Sequence, residues 1–329
     1  WVHCGKNSHG FIACIPTPGR WLRNEEHTSM FARYMGLPQP ACRQFIGKKI
    51  KPGHEATMDA YGNKICSMTL KGGGWTKRHD NVKFTIQKSL RQAAVEHTCE
   101  VYNLVRRHIP QRAHDELMLK KQRDRQGIVP DFSISGMDGG TLLGDVKTMI
   151  RGEAYLEKKH QNVPFGPVNA RAKRVNHEYQ KHAKEIDAKY NNTMDGIVGP
   201  VQRAVQSFGR TRGFVVGAYG ECSQDLLKLV DDTAAAQGVK DWRRMGCKNA
   251  VEAAGVLVEA TRTNISLAAL RSHARLLLDR IDLYMNAGAT AALQRRSAAR
   301  AKWEDLRWTA YLRHGPIAYV SGRPPRDHT

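Results

Sequence analysis

Two β-strands are predicted by the segments Val129-Pro130-Asp131-Phe132-Ser133-Ile134-Ser135 and Leu142-Leu143-Gly144-Asp145-Val146-Lys147-Thr148-Met149, because each alternates apolar and polar residues. The intervening Gly136-Met137-Asp138-Gly139-Gly140 has the composition of a turn that joins antiparallel strands. We therefore predict a β-hairpin. If this hairpin is symmetric about its central residue, Asp131 lies directly opposite Asp145.

The two aspartates are expected to share one face of the hairpin with a lysine. Side chains of directly opposed residues lie within about 5.5 Å of each other, and like charges placed there destabilise a sheet. Residues two apart on a strand share a face, so Lys147 joins Asp131 and Asp145. The opposite face is predicted to be apolar and to carry Phe132, Ile134, Leu142 and Val146. A cation between the carboxylates would relieve their repulsion.

This arrangement is typical of a metal site for the hydrolysis of nucleic acids. A Mg²⁺ ion takes oxygen ligands from one or two carboxylates and keeps waters and substrate phosphate oxygens in the rest of its shell. We therefore expect Asp131 and Asp145 to bind Mg²⁺ and, with Lys147, to form the catalytic site. Lys147 would orient the attacking water or stabilise charge on the phosphoryl oxygens. The alternative is chance, because Pro-Asp and Asp-x-Lys also occur on strands that carry no site.

The spacing of Pro130-Asp131 and Asp145-Val146-Lys147 resembles the PD-(D/E)xK nuclease motif. With Arg78-His79-Asp80 upstream, the chain resembles the restriction-like endonuclease domain of non-LTR retrotransposons and related reverse-transcriptase-linked genes, over about residues 36–231. In that family an Arg-His-Asp or Arg-His-Asn triplet precedes the first helix, and a basic, tyrosine-containing helix follows the Asp-Val strand. The resemblance implies an Mg²⁺-dependent endonuclease that hydrolyses phosphodiester bonds.

The order of predicted elements agrees with an α/β core in which a mixed sheet is flanked by helices. Apolar residues at helical spacing predict a helix over about 80–96, and a strand follows over 99–105. After the hairpin come a helix over 168–190 and a buried strand over 213–219. This order of helix, three strands, helix and strand is the one that the PD-(D/E)xK resemblance implies.

Candidate nucleic-acid-binding residues lie on the two long helices of this core. Arg78 and His79 would donate hydrogen bonds to a phosphate at a helix start. Alternatively, Asp80 simply caps that helix while its two neighbours face solvent. In the second helix, Tyr179 lies in an apolar stripe, and the remaining surface is basic. Its candidate contacts to nucleic acid are Arg171, Lys173, Arg174, Lys181 and Lys184.

Three regions are predicted along the chain. Residues 1–77 are irregular and punctuated by Gly and Pro, residues 78–236 carry the nuclease-like core, and residues 237–329 are helical. In the resembled family, Cys and His zinc ligands often stand just before the Arg-His triplet. The segment 42–66 has Cys42, His54 and Cys66, but Lys64 occupies the position where the histidine is expected, which makes a bound zinc ion doubtful.

Charge and cysteine content indicate the partner and the compartment. The chain has 52 Lys and Arg against 31 Asp and Glu, a net charge of +21, which favours a nucleic-acid partner without distinguishing DNA from RNA. Seven cysteines without a Cys-x-x-Cys pair predict reduced thiols in an intracellular compartment. No stretch has the about 20 apolar residues of a membrane span, so we expect a soluble protein of the nucleus or mitochondrion with no membrane partner.

Two main functions are compatible with these features. The first is an endonuclease that cuts DNA. The second is a catalytically silent, domesticated retroelement endonuclease that binds rRNA or another structured RNA, beside neighbouring proteins, in a ribonucleoprotein such as a mitochondrial ribosome. The intact motif favours the first, while the altered zinc pattern and the absence of a Tyr/Phe-x-Asp-Asp polymerase motif favour the second. A DNA-binding protein that neither cuts nor belongs to a particle is a third possibility.

Overall fold

The computed structural model describes residues 11–12, 22–50, 55–70, 74–102, 104–118, 128–137, 139–151, 157, 159 and 163–285. These residues divide into two compact units. The first contains Thr76–Ala269 together with Phe11, and the second contains Ile12–Trp75 together with the described part of Leu270–Thr329. Within the described residues, no helix is long and apolar enough to cross a membrane.

A four-stranded mixed sheet lies at the centre of the first unit. Its strands are β1 (His97–Cys99), β2 (Phe132–Met137), β3 (Gly140–Thr148) and β4 (Arg212–Val216), in that spatial order. Strands β1, β2 and β3 pair antiparallel, and β4 adds parallel to β3. The predicted α/β class with a mixed sheet and flanking helices is therefore confirmed.

The described helices run in chain order as α1 (Asn24–Tyr34), α2 (Asn63–Ser67), α3 (Gly74–Gln92), α4 (Gln111–Met118), α5 (Gly166–Tyr190), α6 (Pro200–Gln206), α7 (Gln224–Asp241) and α8 (Ala250–Tyr284). Two short 3₁₀ helices, Pro40–Phe45 and Arg106–His108, lie between them. The predicted helix over 168–190 corresponds closely to α5, whereas the strand predicted over 213–219 is β4, which ends three residues earlier, at Val216.

The β2–β3 hairpin has the predicted register. Phe132 pairs with Gly144 and Ile134 with Leu142, which places Asp131, the residue just before β2, on the level of Asp145. The pairing shifts by one residue between Ser135 and the turn, so the hairpin is not symmetric as expected. Gly136 adopts φ +77° at this shift, a conformation that favours glycine.

One face of the sheet packs against α3, α7 and the first half of α8. Apolar residues at helical spacing on α3 meet the inward residues of the strands, because every second strand residue points to the same side. This cluster includes Val82, Ile86, Leu90, Phe132, Ile134, Val146, Phe214, Leu226, Val230 and Ile265. The predicted apolar face of the hairpin is thus confirmed, with Leu142 partly buried against the cluster.

Helix α5 covers the other face of the sheet at very close range. A Cβ atom at Gly213 of β4 would lie 2.5 Å from Cα of Ala172 on α5, so only glycine fits at this crossing. Val168, Ala172 and Val215 form a buried cluster there. Tyr179, further along the same helix, is thereby brought to the level of the hairpin.

Three predicted boundaries differ from the structure. The helix expected from residue 80 already begins at Gly74, and Trp75 in its first turn donates from its indole N–H to the Cys66 carbonyl. The strand expected over 99–105 is β1 at His97–Cys99, because Glu100 adopts a left-handed φ of +53° that ends regular pairing. The predicted boundary between the core and the C-terminal region, at residue 237, falls inside α7. The apolar face of this helix belongs to the sheet core.

The second unit is built from α1, α2 and the last part of α8, where irregular structure was expected for residues 1–77. Its apolar cluster includes Cys42, Phe45, Ile50, Met58, Ile65, Cys66, Leu276, Leu277 and Ile281. The buried Arg280 donates to the carbonyls of Ile65, Cys66 and Met68 at the end of α2. Of the predicted C-terminal helical region, residues 286–329 lie outside the described part of the chain.

Candidate active site

Asp131 stands at the junction of two strands and one helix. Its Oδ2 accepts a hydrogen bond from the Val146 backbone N–H on β3 at 2.7 Å and one from His79 Nε2 on α3 at 3.0 Å. The carboxylate therefore continues the β2–β3 ladder beyond the first residue of β2. Both hydrogen bonds fall on Oδ2, and none from the described residues falls on Oδ1.

Asp145 is buried on β3, between the other members of the predicted site. Tyr179 on α5 donates its phenolic hydroxyl to Asp145 Oδ1 at 3.1 Å, and Lys147 Nζ lies 2.5 Å from Oδ2. Lys147 and Asp145 are two residues apart on β3 and so share a face, as predicted. The structure thus brings Asp131, Asp145 and Lys147 together at the neighbouring ends of β2 and β3.

A chain of charged groups on α3 extends from Asp131. His79 bonds through Nδ1 to Asp80 at 3.1 Å, and the Lys83 ammonium lies 3.7 Å from the same Asp80 carboxylate. Lys83 also contacts Glu100 at 2.5 Å, although its side chain is only 5% exposed. A buried ammonium is stable here because both of its partners are anionic.

The pKa values of the two aspartates are shifted in opposite directions. Burial raises the pKa of Asp145, and the neighbouring charge of Asp131 adds to this effect against the opposing influence of Lys147. Burial would also raise the pKa of Asp131, but the hydrogen bond and charge of His79 outweigh it and lower this pKa. The surroundings of Asp131 therefore favour its ionised form more strongly than those of Asp145 do.

His79 and Tyr179 are held in defined protonation states. Burial would lower the pKa of His79, but its hydrogen bonds to Asp131 and Asp80 raise it to about 9. At neutral pH the imidazolium donates from both ring nitrogens. Burial and the charge of Asp145 raise the pKa of Tyr179 well above its usual value, so the phenol stays protonated and donates to Asp145.

Arg78, the first residue of the triplet, has a different position from the one expected. Its guanidinium donates through Nε to Thr148 Oγ1 and through Nη2 to the Thr148 carbonyl, both at 2.9 Å. The triplet also lies within α3 rather than at its start, because the helix begins at Gly74. Asp80 therefore does not cap the helix, and Arg78 ties α3 to the end of β3.

The donor set fits a hard divalent cation. Mg²⁺ needs only one or two protein carboxylates, with waters and substrate oxygens as its other ligands. Asp131 offers Oδ1, and Asp145 offers Oδ2, whose present partner is the Lys147 ammonium. Within the described residues, no group of three or more His, Cys, Asp or Glu side chains is arranged to hold a metal without such additional ligands.

The basic residues predicted on α5 lie away from this site. Tyr179 faces the sheet, whereas the exposed Lys173, Arg174, Lys181 and Lys184 lie on the solvent side of the same helix. Arg171, which is partly buried, is paired with Glu178 at 2.9 Å. These residues therefore form a separate basic surface and do not line the carboxylate site.

Two residues of the site were missed by the sequence interpretation. Lys83 follows His79 by four positions and Asp80 by three, a spacing that places all three on one face of a helix and could have indicated a shared network. Thr148 lies three residues after Asp145, and nothing in the sequence indicates that Arg78 reaches it.

Both cysteines of the segment that resembles a zinc site are buried. Cys42 and Cys66 both lie in the apolar cluster of the second unit, and burial raises the pKa of the Cys42 thiol to about 12. His54 lies outside the described residues. An apolar environment of this kind disfavours the thiolate form that zinc requires.

Comparison with models of known protein families gave no match, and searches of curated proteins and of solved structures returned no match to the chain.

Proposed function

We propose that the chain is a Mg²⁺-dependent endonuclease with a PD-(D/E)xK-like core. The observation that carries this proposal is the convergence of Asp131, Asp145 and Lys147, from two strands, on one polar site. His79 of the upstream triplet bonds directly to the first of these carboxylates. The net charge of +21 provides the attraction that a polyphosphate substrate requires.

The order of elements supports the same proposal. Apart from the inserted short helices α4 and α6, the order α3, β1, β2, β3, α5 and β4 is the one that the resemblance to the retrotransposon endonuclease domain implies. The tyrosine-containing helix follows the Asp-Val strand, and Tyr179 reaches Asp145. The motif residues therefore occupy positions in the fold that suit a shared catalytic role.

Asp131 and Asp145 would hold the ion, which when bound would supply an acidified water and neutralise charge on the phosphate. The protein's own groups prepare this site. The His79 imidazolium keeps Asp131 ionised, and the Tyr179 hydroxyl fixes the orientation of Asp145. The Lys147 ammonium, which lies beside Asp145, would orient the attacking water or stabilise charge on a phosphoryl oxygen.

A structural RNA-binding subunit of a ribonucleoprotein is the second candidate function. The observation that favours it is that both carboxylates already have protein partners. Asp131 completes the β-ladder at Val146, and the buried Asp145 forms an ion pair with the partly exposed Lys147. Because these contacts stabilise the fold, the chain would need both aspartates even if it no longer cut nucleic acid.

Cleavage assays with matched variants distinguish the two functions. The purified chain is incubated with Mg²⁺ or Mn²⁺ and, separately, with single-stranded DNA, duplex DNA and structured RNA. The nuclease proposal predicts metal-dependent cleavage that Asp145→Ala abolishes and that Asp232→Ala, at an exposed ion pair on α7, retains. Tight, salt-sensitive RNA binding without cleavage, unchanged by Asp145→Ala, would instead establish the structural subunit.

A further inference from the structure

The loop between α5 and α6 presents a cluster of exposed apolar side chains. Met194 is 75% exposed, Ile197 57% and Val198 39%, all within five consecutive residues. We call this segment, residues 191–199, the apolar loop. Side chains of this size are normally exposed singly, so a contiguous group on a surface indicates an interaction site.

The tip of the apolar loop is a tight turn. The Ile197 N–H donates to the Met194 carbonyl at 3.2 Å, and Gly196, at the third position of the turn, adopts φ +86°. This geometry is that of a type II turn, which requires a positive φ at its third residue. Met194 and Ile197 therefore flank the turn and project from neighbouring positions.

A buried carboxylate holds both ends of the apolar loop. Asp187 on α5 is 1% exposed and accepts from the Asn191 amide at the start of the loop. It also accepts from the backbone N–H groups of Val201 and Gln202 at the start of α6. Because the loop is fixed before it meets a partner, its apolar side chains lose little conformational entropy on binding.

Basic residues lie on two sides of the apolar loop. Lys184, from the exposed basic surface of α5, forms an ion pair at 2.5 Å with Asp195 of the loop itself, so the charges of these two residues balance each other. On the other side, the Asn191 amide donates at 2.9 Å to the carbonyl of His108, which follows the exposed Arg106 and Arg107. The basic surface of α5 and this second basic segment therefore both adjoin the apolar side chains, an arrangement complementary to a phosphate backbone.

From this surface we infer that the apolar loop docks on a nucleic-acid duplex and opens a base step with Met194 and Ile197. Apolar side chains such as Met and Ile act as wedges between stacked base pairs while neighbouring cations bind the phosphates. The loop contains no aromatic residue, which favours a duplex over single strands, whose unpaired bases stack on aromatic rings. The inference deepens the proposed function and rests on its nucleic-acid partner.

The docking surface is distinct from the cleavage site. Twelve positions of α5 separate Tyr179 from the loop start at Asn191, which corresponds to about 18 Å along a helix and about five base pairs of duplex. The loop would therefore contribute affinity and duplex distortion rather than chemistry. Loss of the loop contacts should weaken binding without changing the cleavage rate of a fully bound substrate.

The test compares variants in the Asp145→Ala background, so that binding is measured without cleavage. Short DNA duplexes, each with 2-aminopurine at a different position, report on base unstacking. Met194→Ser with Ile197→Ser should weaken binding about tenfold and abolish the fluorescence increase, with no change in the salt dependence. The control pair, Val239→Ser with Val251→Ser, removes equally exposed apolar side chains elsewhere and should match the parent.

Salt dependence separates the wedge from the basic groups beside it. Arg106→Ala with Arg107→Ala should reduce the slope of log affinity against log salt by about two, because each phosphate contact contributes about 0.9. If the parent binds duplex tightly but the loop variant shows unchanged affinity and fluorescence, the wedge role of Met194 and Ile197 is overturned. The proposed nucleic-acid partner would then still stand. Failure of the parent to bind any duplex, single strand or RNA would overturn the nucleic-acid partner, and with it both proposals.

Discussion

His79 Nε2 lies 3.0 Å from Asp131 Oδ2, so a hydrogen bond joins two motifs that are 52 residues apart in the sequence. The same Asp131 oxygen accepts from the backbone of Val146, beside the Asp145 of the second strand. The upstream triplet and the strand motif therefore form one bonded structure. This structure fixes the charge and orientation of Asp131.

Replacement of His79 tests the importance of this hydrogen bond. In His79→Gln an amide can still donate one hydrogen bond, but the positive charge that lowers the Asp131 pKa is lost. We expect the single-turnover cleavage rate to fall about 10- to 100-fold, with duplex affinity changed less than about twofold. His27→Gln, at an exposed position of α1, is the control. Equal rates for both variants would show that the His79 contact is merely structural.

Tyr179 should tune the affinity for the metal. The Tyr179→Phe variant removes the donor to Asp145 Oδ1 and leaves the ring in place. Because contacts to a metal-binding carboxylate affect affinity strongly, the Mg²⁺ concentration for half-maximal cleavage should rise about tenfold. The matched control is Tyr190→Phe on the same helix, whose buried hydroxyl has no hydrogen-bond partner among the described residues. An unchanged Mg²⁺ requirement in Tyr179→Phe would contradict this role.

The close contact between α5 and β4 sets the position of Tyr179. A Cβ atom added in Gly213→Ala would meet the Ala172 backbone at 2.5 Å, and the helix must shift to accept it. We expect a loss of about 2–4 kcal/mol in the free energy of unfolding and reduced cleavage. On α8, Gly255→Ala has open space for its Cβ and should stabilise by about 0.5–1 kcal/mol. Similar stabilities of the two variants in urea denaturation would refute the close contact between Gly213 of β4 and Ala172 of α5.

Much of the hairpin was predictable from the sequence. Alternation of apolar and polar residues allows one register only, since a slip of one residue would expose Phe132 and Ile134. The proximity of Asp131, Asp145 and Lys147 followed from that register. The one-residue shift near Gly136 was not predictable, because it depends on turn geometry rather than on the residue pattern.

The features that could not be predicted from the sequence depend on tertiary contacts. The first core helix was predicted to begin near residue 80, yet α3 begins at Gly74, where the Trp75 indole and the Arg280 guanidinium stack. Helical periodicity correctly predicted that basic residues of α5 share an exposed face. Its separation from the carboxylate site could not be predicted, because helical periodicity identifies faces without showing what each one meets.

A pH-dependent contribution to stability is predicted in the second unit. Burial would raise the pKa of Glu26, but the charge and hydrogen bonds of Arg275 and Arg23 lower it to about 2. A depressed carboxyl pKa stabilises the folded state above the unfolded value of 4.5, and this contribution is lost as the pH falls from 4.5 towards 2. Allowing for screening at the partly exposed arginines, the contribution is about 2 kcal/mol.

Denaturation of Glu26→Gln at two pH values measures this contribution. The difference in unfolding free energy between the parent and Glu26→Gln should be about 2 kcal/mol at neutral pH and should shrink as the pH approaches 3. Glu25→Gln removes the same charge from the exposed neighbouring position and should show little difference at either pH. If the difference in unfolding free energy between the parent and Glu26→Gln stays constant with pH, the ion pairs of Glu26 are not its source.

Binding of Mn²⁺ as a spectroscopic substitute for Mg²⁺ tests the carboxylate site most directly. Electron paramagnetic resonance titration at neutral pH gives the number of bound ions for the parent, for Asp145→Asn and for the control Asp232→Asn. We expect one bound ion per chain in the parent and in the control, and loss of that ion in Asp145→Asn with the fold intact by circular dichroism. Equal Mn²⁺ binding by the parent and Asp145→Asn, or none by either, would contradict the assignment of Asp131 and Asp145 as a catalytic metal site.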